Sequence, residues 1–409
     1  MTGLRVIIAG AGCLALAACG AESERRDISQ ADTAYQTVLL EALLDAGPGD
    51  VIEIPAGLYA FDRGLTLTAS GVTIRGAGMD ETILNFSGQR QGAEGLLVQG
   101  ASDFTIENLA IEDTVGDALK ITEGENIVIR GVRTEWTNGP DTENGAYGIY
   151  PVLTRNVLIE DSVAIGASDA GIYVGQSETI VVRNNRVEYN VAGIEVENSN
   201  DADVYANTAT NNTGGILVFN MPNLPRPGAG TRVFGNEVFA NNTRNFGHAG
   251  TPVASVPAGT GILINSNDDV HVFENRIADN RTANVIISSL HSAGYADMAA
   301  QDDFDPYPEG IWIHSNTYEG GGNNPDGMDL QALRVMKFGP TGRFPDVLWD
   351  GYFDEAKQVD GVTPEALRIC VEDAEIINLD GPNGYSDPRM VTEDHRCSHA
   401  PRDPVSLPF

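Results

Sequence analysis

Gly171-Ile172-Tyr173-Val174 is followed 22 residues later by Gly193-Ile194-Glu195-Val196, and after another 22 residues by Gly215-Ile216-Leu217-Val218. Related phrases lie on either side, at Gly148-Ile149-Tyr150-Pro151 and at Gly261-Ile262-Leu263-Ile264. A fixed period in this range is typical of solenoids, in which each repeat packs only on its neighbours. The stretch therefore predicts a single stacked array rather than several separate domains.

A second phrase runs in step with the first and ends in asparagine. Both phrases are short, β-branched and alternating, which indicates strands closed by turns. No helix of ordinary length fits into 22 residues beside two or three such strands. The sequence therefore predicts an all-β parallel β-helix. We interpret the asparagines as structural, because asparagine tolerates left-handed turns and its amides can stack between rungs; they are Asn185, Asn207, Asn236, Asn275 and Asn316.

The N-terminal segment predicts export and a lipid anchor. Arg5 precedes a short apolar run that is too brief to span a membrane. The run ends in Leu16-Ala17-Ala18-Cys19-Gly20, which is similar to a bacterial lipobox. We therefore expect residues 1–18 to be a lipoprotein signal peptide, Cys19 to be lipidated, and residues 19–33 to form a tether. Acyl chains on Cys19 would hold the protein in the cell envelope. Gly20 favours the outer membrane, and an ordinary signal peptide is the alternative.

The repeats predict a β-helix domain over residues 34–335 with a cap at each end. Residues 34–46 form an amphipathic helix that covers the first rung. The period is lost beyond about residue 335, so we expect residues 336–409 to be an irregular C-terminal cap.

Two cysteines remain once Cys13 leaves with the signal peptide and Cys19 takes the lipid. They are Cys370 and Cys397, and in an exported protein such a pair favours a disulfide. Metal binding together with His395 and His399 is the alternative.

The formal charge of −33 restricts the partners. Such a surface repels nucleic acid, so we expect no nucleic-acid partner. We expect no cofactor, and no two histidines in the repeats have the spacing typical of a zinc site. Calcium is left open, either between sugar carboxylates and the protein or at the acidic loop that holds Asp302, Asp303, Asp305 and Glu309. A solvated acidic loop is the alternative.

The opening at 36–59 and the paired phrases from 95 to 318 resemble right-handed parallel β-helix proteins. The phrases at 145–151, 168–177 and 214–219 look more specifically like uncharacterised exported bacterial lipoproteins with tandem β-helix repeats. The resemblance covers roughly residues 34–409 and implies a right-handed solenoid, export and a second exported protein as a partner, but no reaction. The chain is more distantly similar to polysaccharide lyases, uronan C5-epimerases and the periplasmic copper-site maturation protein of nitrous oxide reductase.

Alternation along the aligned strands separates the core from an outer row of side chains. Lys120, Tyr150, Tyr173 and Glu195 should point outward on neighbouring rungs about 4.8 Å apart. Longer inserts precede or follow these strands and should rim the same side of the solenoid, where binding residues tend to lie. The four inserts are 137–147, 221–231, 243–259 and 290–310.

We predict that this outer row binds a polysaccharide or envelope glycan, because neighbouring tyrosines offer flat apolar faces with hydroxyl groups. Asp169, Gln176, Asn198 and Asn220 lie just beyond the strand ends and could bind sugar hydroxyls.

Two other functions remain open beside a merely solvated face. The first is a lyase or C5-epimerase acting on acidic glycans, with Lys120, Tyr150, Tyr173 and Glu195 as catalytic candidates. It lacks an arginine on the row to neutralise a substrate carboxylate. The second is a scaffold for the second exported protein, which needs a flat apolar patch around Leu217, Phe219, Leu263 and Met221-Pro222.

Overall fold

The computed structural model describes residues 25–293, 295 and 304–409. The predicted signal peptide, Cys19, the first part of the tether, Asp302 and Asp303 lie outside the described residues. Within the described ranges, no helix combines the length and the apolar character that crossing a bilayer requires.

The described strands form two long sheets of 12 and 19 strands. The 12-stranded sheet contains Arg63–Leu67, Gln91–Gln99, Leu119–Thr122, Tyr147–Val152, Ala170–Gly175, Ala192–Glu197, Gly214–Phe219, Thr260–Asn265, Ala283–Ser288, Val347–Trp349, Ile376–Asn378 and Arg389–Met390. The 19-stranded sheet contains Val51–Glu53, Gly57–Ala60, Thr73–Arg75, Thr82–Asn85, Phe104–Glu112, Glu125–Glu135, Arg155–Glu160, Val163–Ile165, Glu178–Arg183, Arg186–Glu188, Asn200–Tyr205, Thr208–Thr210, Ala229–Phe234, Glu237–Phe239, His271–Phe273, Arg276–Ala278, Trp312–His314, Thr317–Glu319 and Cys370–Val371.

The chain coils through these sheets in a parallel register, as predicted, except that the last strand, Arg389–Met390, pairs antiparallel with Ile376–Asn378. In the repeat region, each turn uses one strand of the 12-stranded sheet and then a bent pair of the 19-stranded sheet. Ile172 pairs with Ile194 and Ile194 pairs with Ile216, so the 22-residue period is one turn of the coil. These isoleucines are fully buried and belong to one continuous core. The core is therefore a stack of identical layers, which explains why the fold is visible in the sequence.

Asparagine amides bind each other along two corners of the coil. In the predicted row, the Nδ2 of Asn185 donates to the Oδ1 of Asn207 at 3.0 Å, and the pattern continues to Asn316. A second row, which the sequence analysis missed, runs from Asn190 through Asn212 and Asn241 to Asn280. The left-handed backbone in the first row lies one residue earlier, at positions such as Asn184 and Ala206. The amide, rather than tolerance of a left-handed conformation, is thus the reason for asparagine there.

Helices and irregular segments close the coil. Helix α1 (Tyr35–Asp45) covers the first rung and buries Leu39 and Leu43, as predicted. Helix α2 (Met328–Phe338) lies in the C-terminal part. Both sheets continue past residue 335, so this part adds rungs as well as irregular segments. The disulfide between Cys370 and Cys397 is present. Short 3₁₀ helices span Pro252–Ser255, Glu355–Lys357, Glu365–Leu367, Gly381–Asn383 and Thr392–His395.

Candidate functional site

One straight row of side chains runs along the outer face of the 12-stranded sheet. Lys120 pairs with Tyr150, Tyr173 with Glu195, and Glu195 with Leu217. The register thus confirms the predicted alignment. We call the following side chains the outer row: Leu97, Lys120, Tyr150, Tyr173, Glu195, Leu217, Leu263, Ile286 and Leu348.

The insert at 243–259, here called the covering insert, folds back over the middle of this row. Its side chains Phe246, Val253 and Val256 pack in one apolar cluster with Tyr173 and Leu217. Consequently Tyr173 is 4% exposed, Glu195 is 3% exposed, and Leu217 is fully buried. The expectation that the whole polar row is exposed is therefore wrong for Tyr173 and Glu195. The sequence analysis placed the insert beside the row but not on top of it.

Three tyrosine rings pack together at the border of the covered region. The ring centroids of Tyr147, Tyr150 and Tyr173 are separated by 4.4 to 4.9 Å. The Nζ of Lys120 lies 4.8 Å from the centroid of the Tyr150 ring, which is a cation–π contact. Lys120 and Tyr150 remain half-buried, so this end of the row is accessible.

Carboxylates surround the tyrosines on both sides. The Nζ of Lys120 is 3.3 Å from Asp117 Oδ2 and 3.8 Å from Glu94 Oε1. On the covered side lie Asp169, Glu195 and Glu197. We call the set of Tyr147, Tyr150, Tyr173, Asp169, Glu195 and Glu197 the tyrosine–carboxylate cluster. Glu197 was missed although it stands two residues after Glu195, where strand alternation returns a side chain to the same face.

Hydrogen bonds join the deep part of this cluster. The Tyr173 hydroxyl donates to Glu197 Oε1 at 2.8 Å, and Gln176 Nε2 donates to the Tyr173 oxygen at 3.1 Å. Glu195 lies beside Glu197, and Tyr147 lies beside Asp169. The Oε2 atom of Glu195 is buried, and no described residue donates a hydrogen bond to it.

Burial shifts the acid–base behaviour of the cluster. It raises the pKa of Asp169 to about 7, with the charge of Glu197 acting in the same direction. Burial also raises the pKa of Glu195 well above its usual range, with Asp169 and Glu197 contributing further. The pKa of Tyr150 rises to about 12, mainly through burial. The tyrosines therefore keep their protons at neutral pH, so the catalytic candidates Tyr150 and Tyr173 are not suited to act as a general base.

The predicted substrate-binding residues separate into two groups. Asp169 and Gln176 join the cluster. Asn198 and Asn220 instead hold the insert at 221–231, since their Nδ2 atoms donate to the carbonyl oxygens of Met221 and Gly228, each at 2.9 Å. The amides of these two asparagines are thus occupied by the protein's own backbone.

The outer row changes character beyond Glu195. Leu263, Ile286 and Leu348 border a cavity of about 660 Å³, which Phe219 and Met221 also line. The predicted flat apolar patch is therefore wrong in shape, because these residues surround a concavity and Leu217 is covered.

The described carboxylates place one small acidic group away from the outer row. Asp268, Asp305 and Glu309 each offer an oxygen within 4.8 Å of the others. The Nζ of Lys357 lies 2.5 Å from Asp305 and 2.6 Å from Glu309, so its single positive charge offsets part of their negative charge. Calcium binding at this loop remains a prediction.

Comparisons with known proteins agree with the fold. A family model described as a right handed beta helix region matches residues 68–224. No curated protein matches the sequence.

Several solved structures share the β-helix coil. The A-module of the Azotobacter vinelandii mannuronan C-5 epimerase AlgE4 is 19% identical, with a TM-score of 0.48 and coverage of 75% of this chain and 88% of that one. DFA-IIIase from Arthrobacter chlorophenolicus A6 is 11% identical, with a TM-score of 0.44 and coverage of 74% and 82%. An alginate lyase from Paenibacillus sp. is 16% identical, with a TM-score of 0.33 and coverage of 70% and 96%. Likenesses this distant carry no argument about the reaction. The parallel coil gives this chain the fold of a right-handed parallel β-helix, and the family model covers residues 68–224 of it.

Proposed function

We propose that the protein binds a neutral glycan at the tyrosine–carboxylate cluster. The observation that carries the proposal is the packing of Tyr147, Tyr150 and Tyr173 within 4.9 Å of one another, beside carboxyl groups at the accessible end of the outer row. Pyranose rings present apolar faces edged with hydroxyl groups. A site for them therefore needs flat aromatic surfaces next to hydrogen-bonding groups, and this cluster has both.

The charge of the face favours a neutral glycan over an acidic one. Glu94 and Asp117 flank Lys120, and both lie close enough to pair with its single positive charge. Glu197 adds a further carboxyl beside Tyr173. No arginine belongs to the outer row, so a uronate would meet uncompensated negative charge. The lyase and epimerase alternatives for acidic glycans are weakened for the same reason.

Retention on immobilised neutral glycans tests this proposal. We expect the purified protein to be retained, and Tyr150→Ala to weaken retention at least tenfold, because the accessible aromatic face is lost. Tyr205→Ala is the matched control, since Tyr205 is also half-buried but belongs to the other sheet. Equal retention of both variants, or retention on acidic glycans alone, would contradict the proposal.

A catalytic role is the second candidate, and the acid–base state of the cluster favours it. Burial raises the pKa of Asp169 to about 7, so its carboxyl group can donate a proton at neutral pH. Cleavage of a glycosidic bond needs a second carboxyl group beside such an acid, and Glu197 is the candidate. We expect new reducing ends from a neutral glycan if this candidate is correct, and Asp169→Asn should abolish them. Retention without new reducing ends would leave binding as the function.

We also propose that the protein is exported and anchored in the cell envelope through Cys19. The lipobox-like residues before Cys19 support this part, and the apolar run ahead of them is short. Membrane fractionation of cells that produce the wild type or Cys19→Ser tests it, with the variant expected in the soluble fraction. If no glycan is retained, binding of a second exported protein becomes the proposed function.

A further inference from the structure

We call the outer row from Leu97 to Glu195 its polar half and the part beyond Glu195 its apolar half. Side chains of the apolar half form the floor of the 660 Å³ cavity. Leu263, Ile286 and Leu348 come from three successive rungs, since Leu263 pairs with Ile286 and Ile286 pairs with Leu348. Neighbouring rungs are about 4.8 Å apart, so the floor is a straight apolar strip about 10 Å long. A solvated sheet face does not usually present such a strip, and this one is walled rather than flat.

The walls of the cavity come from separate parts of the chain. Leu330 and Leu333 of helix α2 contribute to one, and Pro252 and Val256 of the covering insert to another. Residues 379–385 contribute a further part of the lining. A folded protein partner needs a broad surface, whereas a floor enclosed in this way admits something narrow. The volume lies within the usual range for sites that hold small molecules.

The chemistry of the lining selects an uncharged, extended ligand. Among the described lining residues none is basic, and only Asp329 and Asp350 are acidic, although the chain as a whole carries a formal charge of −33. Asp350 already accepts hydrogen bonds from Ser289 N at 2.6 Å and from Ser292 Oγ at 2.7 Å. Nothing in this lining could pair with a phosphate or carboxylate headgroup.

We propose that the cavity binds a linear hydrocarbon chain whose headgroup is uncharged, such as the chain of a fatty alcohol or of a neutral single-chain lipid. The chain lies along the strip of Leu263, Ile286 and Leu348, and the polar end meets the Asp350 side of the lining. This site is separate from the tyrosine–carboxylate cluster and does not depend on glycan binding there.

Calorimetric titration of the full protein with linear alcohols from hexanol to decanol tests the proposal. Each added methylene should tighten binding by up to about fourfold, because burial of one methylene contributes about 0.8 kcal/mol. The gain should end when the chain outgrows the strip. Absence of binding across the series, or equal affinity for hexanol and decanol, overturns the proposal.

Two pairs of variants locate the site. Ile286→Trp fills the floor and should weaken decanol binding at least tenfold, whereas Leu97→Trp, at the same position on the polar half, should leave it unchanged. Ala332→Trp and Val335→Trp repeat the comparison at two exposed positions of helix α2. Of these two residues, Ala332 lines the cavity and Val335 does not. The second pair decides the question if Ile286→Trp fails to fold. Decanol binding that survives Ala332→Trp at full strength would rule out this cavity as the site.

Discussion

The polar and apolar halves of the outer row occupy equivalent register positions in one sheet, yet they are closed in different ways. At the inner end of the polar half, the covering insert packs directly on Tyr173 and seals carboxyl groups beneath it. In the apolar half, helix α2 and the same insert stand around Leu263 and Ile286 and leave a cavity. The comparison shows that the backbone of a β-helix sets the spacing of side chains, while inserts decide which of them stay buried, paired or accessible.

A buried charge at the boundary between the halves of the outer row should have the largest effect on the free energy of unfolding. Leu217 is fully buried under the covering insert, and Leu217→Asp would place a carboxylate there without a partner. We expect a loss of about 3–5 kcal/mol in the free energy of unfolding, measured by urea denaturation. Leu97→Asp, at the half-buried end of the same row, should cost less than about 1 kcal/mol. Similar losses for both would mean that the insert does not seal the row.

Removal of one hydroxyl should distinguish the covered tyrosine from the accessible one. Tyr173→Phe loses the hydrogen bond to Glu197 at 2.8 Å and the one from Gln176. We expect a cost of about 1–3 kcal/mol in the free energy of unfolding, since a buried acceptor loses its donor. Tyr150→Phe is the control, because no described residue forms a hydrogen bond with its hydroxyl, and it should change stability by less than about 0.5 kcal/mol. The reverse order would show that the cluster is arranged differently in solution.

The pH dependence of stability should report on the buried carboxyl groups. The pKa of Asp169 is raised from 3.8 to about 7, so the folded protein holds this proton more tightly than the unfolded chain does. The contribution of Asp169 to the free energy of unfolding is fully present below about pH 4 and is lost as the pH rises to about 7. Over this range the free energy of unfolding should decline by at most about 1.4 kcal/mol per pH unit. Asp169→Asn should remove this contribution to the slope, as measured by urea denaturation at a series of pH values. The exposed Asp161→Asn should retain it, and equal slopes for the two variants would refute this assignment.

Partial filling of the cavity should have the smallest effect on the free energy of unfolding. Ile286→Phe adds apolar volume next to empty space, so we expect a gain of about 0.5–1 kcal/mol in the free energy of unfolding. Leu97→Phe, on the half without a cavity, should be neutral. Thermal denaturation of both variants makes the comparison, and a clear loss of stability for Ile286→Phe would indicate that the space is already filled.

Much of the fold could be predicted because the geometry of a solenoid is visible in the local sequence pattern. Each repeat contacts only its neighbours, and the isoleucines of the repeated phrase alternate with the outer-row residues. The positions of Ile172 and Tyr173 therefore show which face of the strand belongs to the core. The disulfide was favoured because Cys370 and Cys397 remain once Cys13 and Cys19 are assigned to the expected signal peptide and lipid anchor, with metal binding as the alternative. The second asparagine row escaped notice because Asn190, Asn212, Asn241 and Asn280 stand outside the phrases that defined the repeat.

The candidate site was predicted only in part, because its closure depends on distant segments. The Thr142 hydroxyl donates to the carbonyl oxygen of Phe246, which lies 104 residues away, and this contact joins two inserts over the sheet. No local pattern reports such a contact. The same limit applies to Asn198 and Asn220, whose positions after strands suggested a ligand but whose amides bind the following insert.

The sequence by itself determined the parallel coil, the register and the identity of the outer row, because each depends on periodicity. It favoured the pairing of Cys370 with Cys397, which the structure contains. Only the tertiary structure decided that Tyr173 and Glu195 are buried, that Glu197 joins Tyr173, and that Leu263 and Ile286 border a cavity. The physical reason is that burial and pKa are set by everything packed around a side chain, and here much of that packing comes from inserts and a helix that do not follow the repeat.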